Sequence, residues 1–148
     1  MRKKKIKIAK RKRRRKVVKV KSELSGLHVD VKKWLKNNKL YKGFKSEQRI
    51  GRYKVDEVDQ LRKIIIEVNG DHWHANPDLY NPNDVIGGKS GMTAEEIWAK
   101  EEKRTEVLEK SGYKVVVVWE QHFRSKFMRK VLIRKIRKVL KDAEQGAG

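Results

Sequence analysis

The segment from Ile64 to Pro77, "IIIEVNGDHWHANP", concentrates side chains that ligate metals and move protons. Glu67, Asp71, His72 and His74 fall within eight consecutive residues. Cleaving a phosphodiester calls for a metal that polarises the phosphoryl oxygen and lowers the pKa of an attacking water. Magnesium takes hard oxygen ligands, and one or two carboxylates plus water and phosphate are a common set. Asp56 and Glu67 stand at the ends of two expected strands, and antiparallel pairing of those strands would bring the two carboxylates to one sheet end. His72 and His74, two apart, share a face if the backbone there is extended. Glu101 and Glu102 follow on an expected helix and complete the set. The same residues also read as solvated strand ends and a polar turn with surface histidines. The chain has no cysteine, so disulfides and thiolate-held zinc are excluded.

These groups need elements to position them. Leu27, Val31, Trp34 and Leu35 recur at helical spacing, which predicts a helix over Leu27–Asn38. "EQRIGRYKVDEV" alternates as a strand or hairpin around Ile50–Val58, and Lys63–Val68 reads as a second, better buried strand. Gly70 supplies a turn. Asn76–Gly91 reads as a long loop with two prolines and three glycines, a length that suits function or motion. Thr93 with Glu96 three residues on is a capping box, and Gly112 stops the helix that it opens. Ile97, Trp98, Thr105 and Leu108 form that helix's expected apolar stripe. "YKVVVVWE" is a continuous apolar run, which predicts a central strand buried on both faces. Met128, Leu132, Ile136 and Val139 make the stripe of a final amphipathic helix over Phe123–Lys141. Trp73 and Trp119 read as core residues. The order helix, strand, strand, helix, strand, helix predicts an α/β fold, with a small mixed β-sheet flanked by helices.

Charge is the largest compositional signal. Of 148 residues, 40 are Lys or Arg and 19 are Asp or Glu, a formal net charge of +21. The first 22 residues hold 14 of the basic residues and no acid, and Gln121–Lys141 holds nine more and no acid. The span between carries 17 of each sign and is neutral. A neutral body with two basic handles implies a polyanionic partner, because each cation that neutralises a phosphate releases counterions. The expected organisation is a basic nucleic-acid-binding arm over 1–22, disordered when unbound, a core domain over 23–122, and a basic amphipathic helix and tail over 123–148. Lys12, Arg13, Arg14, Arg15 and Lys16 of the arm, with Arg129, Lys130 and Arg134 of the helix, are the expected phosphate contacts. No apolar run reaches the roughly 18 residues of a membrane span, and the basic N-terminus lacks the apolar core of a secretory signal.

Three segments, "IEVNGDHWHANP", "IWAKEEKRTEVLEKSGY" and "KVVVVWE", resemble those of the very short patch repair endonucleases. They resemble more closely the phage homing endonucleases of the EDxHD type, within the PD-(D/E)xK restriction-endonuclease-like superfamily. The resemblance covers about Leu27 to Glu120. It implies a restriction-endonuclease-like core and a Mg2+-dependent endonuclease, with Mn2+ as a substitute ion. It places the sheet aspartate, a direct metal ligand, at Asp56, and the histidine of the hydrolytic step at His74. The helical aspartate falls on Glu101, a departure in residue type. Glu67 occupies the acidic position of the wider motif, and the Val68 carbonyl is a further expected ligand. Asn69 stands where many members carry lysine. The early helical acid has Glu23, Asp30 and Glu47 as candidates, with Glu47 favoured because it lies near the strand of Asp56. Asp71, His72 and Asn69 would shape the surroundings of the ligands.

The leading expectation is therefore an endonuclease acting on double-stranded DNA, encoded by a phage or mobile element and used in homing or repair-type nicking. It would act as a monomer or homodimer in the cytoplasm, at the nucleoid of a bacterium or phage-infected host, without a membrane partner. A competing expectation is a non-catalytic nucleic-acid-binding protein on a nuclease-derived fold, favoured by Asn69, Glu101 and the high charge. A histidine-metal-finger nuclease is the weakest reading, because no strand–strand–helix unit follows "HWH".

Overall fold

The structure, a computed structural model, describes residues 24–88 and 91–146. The N-terminal arm with Lys12, Arg13, Arg14, Arg15 and Lys16, and also Glu23, lie outside the described residues.

Helix α1 (Gly26–Asn37) begins where the Ser25 hydroxyl accepts a hydrogen bond from the His28 amide at 3.2 Å. That N-cap satisfies one of the donors every helix start leaves unpaired. Strands β1 (Lys45–Ile50) and β2 (Tyr53–Asp59) form a hairpin closed by Gly51 and Arg52, with Gly51 at φ 56°. The expected strand over Ile50–Val58 is thus the second arm of a hairpin whose turn lies at Gly51. Strand β3 (Ile64–Asn69) is buried at all six positions. Helix α2 (Ala94–Lys110) carries the expected capping box, with reciprocal bonds between Thr93 and Glu96 of 2.8 and 3.3 Å. It leads into β4 (Lys114–Trp119). A short α3 (Glu120–Arg124) and a long α4 (Lys126–Gly146) end the described chain.

The four strands form one sheet in the order β1-β2-β3-β4. β1/β2 and β2/β3 are antiparallel, and β3/β4 is parallel. A parallel pair needs a crossover, and α2 supplies it. The observed class is the expected mixed sheet flanked by helices, with two corrections. "KVVVVW" is not a central strand. It lies at the sheet edge with alternating burial, and β3 is the strand covered on both faces. Apolar runs of similar length do not reveal which one has two neighbours. The final helix is also not continuous from Phe123. It breaks at Ser125, whose hydroxyl accepts from the Met128 amide at 3.2 Å and caps α4.

Two apolar clusters lie on opposite faces of the sheet. Ile64, Ile66, Val68, Val116 and Val118 pack with Val31 and Leu35 of α1 and Leu132 and Ile136 of α4. The basic C-terminal helix therefore shares the main core. Ile65 packs with Val55, Val58, Leu108 and Tyr113 on the α2 side. In the α2 stripe, Ile97 and Leu108 are buried while Trp98 and Thr105 are only partly so.

Candidate functional site

The register builds the site. Ser46 pairs with Glu57 and Gln48 with Val55, which sets Glu47 of β1 opposite Asp56 of β2. Glu57 pairs with Ile66, so the next step of the same register points Asp56 towards Glu67 of β3. Three adjacent strands thus present Glu47, Asp56 and Glu67 at one level of the sheet.

The ladder is interrupted there. Val55 and Val58 reach the same apolar cluster although they stand three apart, so the two-residue alternation of β2 breaks between them. Glu47 adopts φ 57° inside β1, a left-handed conformation that costs on the order of 1–3 kcal/mol in a residue with a Cβ. Side chains replace the missing ladder bonds. The Asp56 amide donates to Glu67 Oε2 at 3.2 Å, and the Val68 amide donates to Asp56 Oδ2 at 2.7 Å.

A ligand set gathers at this break. His28 of α1, Glu47 and Asp56 each offer one donor atom, and the three atoms lie within 4.8 Å of one another. His28 is missing from the sequence reading. The available signal was its place one residue after Leu27, on the side of α1 that buries Val31 and Leu35. Its Nε2 lies 2.8 Å from Glu57 Oε1. Glu57 is fully buried and also accepts from Tyr41 and Ser46, both at 2.7 Å. Burial raises the Glu57 carboxyl, but the bonds from His28, Ser46 and Tyr41 outweigh it and hold the group below the usual carboxylate value. Burial pushes the Tyr41 hydroxyl up to about 12.

Helix α2 supplies the other wall. Glu101 and Arg104 are one turn apart and share a face. Glu101 Oε1 lies 2.9 Å from His74 Nδ1. Arg104 Nη2 lies 2.7 Å from Glu67 Oε1 and donates to the Lys54 carbonyl at 2.5 Å. The guanidinium is close to Glu67 Oε1 but poorly aligned, so that oxygen is buried and accepts no hydrogen bond. Burial pushes the Glu67 carboxyl up to about 8; Arg104 pulls it down and Asp56 pushes it up. Arg104 is a second residue that the sequence reading missed, and its signal was the three-residue spacing from Glu101.

The remaining expected residues sit elsewhere. The backbone of Asp71–Ala75 is a turn, not an extended segment, and the positive φ falls at Ala75 (49°) rather than at Gly70. His72 and His74 therefore do not share a face. The His72 ring lies 3.1 Å from both the Tyr80 hydroxyl and the Gly87 carbonyl, which ties down the loop. Asp71 accepts from Asn76 Nδ2 at 2.8 Å and from the Gln121 amide at 3.3 Å. Asn69 is buried at the end of β3, level with Trp119; the Val68 side chain joins the main core while its backbone stays at the site, bonded to Asp56. Glu102 is exposed on α2, and Asp30 is exposed on α1. Trp73 is 53% exposed, against the expectation of a core residue. Among the α4 cations, Lys130 and Arg134 are exposed, and Arg129 lies over the Phe123 ring at 5.9 Å. Among the described residues, no helix is long and apolar enough to cross a membrane.

No family model matches the chain, and no curated protein matches it.

Proposed function

We propose that the chain is a metal-dependent endonuclease that hydrolyses phosphodiester bonds of double-stranded DNA. The observation that carries this reading is the convergence of His28, Glu47 and Asp56 within 4.8 Å at a break in the sheet, next to Glu67. The donor set fits a divalent cation. Carboxylate oxygens suit Mg2+, and an imidazole nitrogen beside them suits Mn2+ as well. The buried Glu67 Oε1 accepts no hydrogen bond and faces only the misaligned Arg104 guanidinium, which leaves it capacity for a further electrophile.

His28, Glu47 and Asp56 would hold the ion, with Glu67 beside Asp56 as a further carboxylate. The ion supplies Lewis-acid polarisation of the phosphoryl oxygen and acidifies water. His74, oriented by Glu101, takes a proton from the attacking water or gives one to the leaving oxygen. The α4 cations Arg129, Lys130 and Arg134, and the basic arm with Lys12–Lys16, hold the backbone of the duplex. Homing or repair-type nicking is the role that such an activity suits.

Nicking of supercoiled plasmid in Mg2+ tests the reading, comparing the wild type with Asp56→Ala and His74→Ala. The expected result is cleavage by the wild type and loss in both variants; equal cleavage by all three sinks the assignment.

One observation favours a second reading, a DNA-binding protein without catalysis. Asp56 and Glu67 already cap strand amides at 2.7 and 3.2 Å, which gives both carboxylates a structural duty. Salt-sensitive DNA binding with no cutting in Mg2+ or Mn2+ would support it.

A further inference from the structure

A groove of about 450 Å3 opens between the β1–β2 turn and α2, lined by Arg52, Tyr53, Lys100, Glu101, Lys103 and Arg104. Four of the six residues are cations. Of these, only Arg104 is ion-paired among the described residues. The single carboxylate, Glu101, is engaged by His74 at 2.9 Å. Tyr53 forms the floor, with the Arg52 guanidinium 5.0 Å and the Arg104 guanidinium 5.7 Å from its ring centre. Arg52 also donates to the Tyr53 hydroxyl at 2.8 Å. These contacts hold two guanidinium groups in place instead of leaving them to sweep through solvent.

The charge arrangement opposes folding on its own. Lys100 stands three residues from Lys103 and four from Arg104, so it faces two like charges on the helix surface. Such an arrangement is relieved by a polyanion. The inner end of the groove is Arg104, whose Nη2 reaches Glu67 Oε1 at 2.7 Å. The groove therefore runs from solvent to the carboxylates that would hold the ion.

We propose that this groove seats the phosphate backbone of DNA, with Arg52, Lys100 and Lys103 each neutralising a phosphate and Arg104 facing the phosphate next to the ion. The partner is a phosphodiester chain rather than an acidic protein, because the cations line a narrow track that ends at hydrolytic side chains. This inference rests on the nuclease reading for the choice of partner and for what happens at the inner end, while the cationic lining stands without it. No α4 residue lines the groove, so the two kinds of contact are separable by substitution.

The test uses the full chain and a fluorescein-labelled 30-base-pair duplex of random sequence, read by anisotropy in EDTA so that no cutting intervenes. One variant combines Arg52→Ala, Lys100→Ala and Lys103→Ala. A control removes three exposed cations outside the groove, Lys33→Ala, Lys42→Ala and Lys110→Ala. Both triples lower the net charge equally. Each phosphate contact contributes roughly 0.9 to the slope of log K against log salt. The groove triple is expected to flatten the slope by about 2.7 and to weaken binding on the order of 100-fold at 0.15 M salt, while the control stays within a few fold of wild type. Equal losses in both triples, or no loss in the groove triple, overturns the proposal. A wild type that binds through the groove but does not cut plasmid refutes the nuclease reading and leaves the groove standing.

Discussion

Metal binding should depend steeply on pH, because the metal and a proton compete for Glu67. Burial pushes this carboxyl from about 4.5 up to about 8. Between those values the folded chain keeps a proton that the unfolded chain has released. The stability of the metal-free protein therefore falls as pH rises through that window, by at most about 5 kcal/mol at roughly 1.4 kcal/mol per pH unit. A cation at Glu67 must displace the proton. With a pKa of about 8, Glu67 is ionised in roughly 1% of molecules at pH 6 and in half of them at pH 8. The apparent affinity for Mn2+ should then rise about 50-fold from pH 6 to pH 8 and level off above pH 9. Titration calorimetry with Mn2+ at pH 6, 7, 8 and 9, without DNA, measures this directly. Glu67→Gln cannot ionise, so the rise centred near pH 8 should be absent from its profile, with weak binding left to the other ligands. A wild-type affinity that changes less than threefold between pH 6 and pH 8 would refute the reasoning. So would a Glu67→Gln profile as steep as that of the wild type.

Arg104→Ala removes the cation that pulls the Glu67 carboxyl down, and the midpoint of the Mn2+ binding profile should move to higher pH in the same calorimetric series. Glu57→Gln weakens the bonds that buried Glu57 makes with His28, Ser46 and Tyr41, and urea unfolding at pH 7 should show a loss of about 2–3 kcal/mol. Glu57 is held below its ordinary value near 4.5, so that loss is complete above pH 4.5 and shrinks as pH falls through the lower folded value. Gly43→Ala places a Cβ at φ 93°, against the Asp59 carboxylate that binds Arg62 and the Leu61 amide; thermal unfolding should show a loss of about 1–3 kcal/mol.

Local features were readable wherever a short stretch contained its own cause. The capping box at Thr93 and Glu96 is complete in four residues, and α2 begins where it predicts. Gly112 follows the end of that helix with φ 92°. The parallel pairing of β4 with β3 follows from a helical crossover between two apolar strands. Features that depend on distant neighbours were not readable. The run "KVVVVW" is as apolar as a central strand, yet it lies at the sheet edge because, among the described residues, no strand pairs with its outer side. Trp73 is exposed because the turn after β3 curls at Ala75 rather than extending inward.

The sequence by itself determined the charge distribution, the neutral core between basic ends, the helix caps and the inventory of ligand-type residues. It also placed Asp56 and Glu67 on two strands that can pair. Only the tertiary structure decided which of those residues meet. His28 reaches Glu47 and Asp56 because α1 packs on the sheet beside β1 and β2, and a contact across 19 and 28 residues of chain has no local periodicity to betray it. Arg104 meets Glu67 because α2 crosses the far face of β3. His72 and His74, two apart in sequence, part company because a turn rotates successive side chains in different directions. Register and helix placement set these distances, and both depend on burying the whole apolar surface at once rather than on any single stretch.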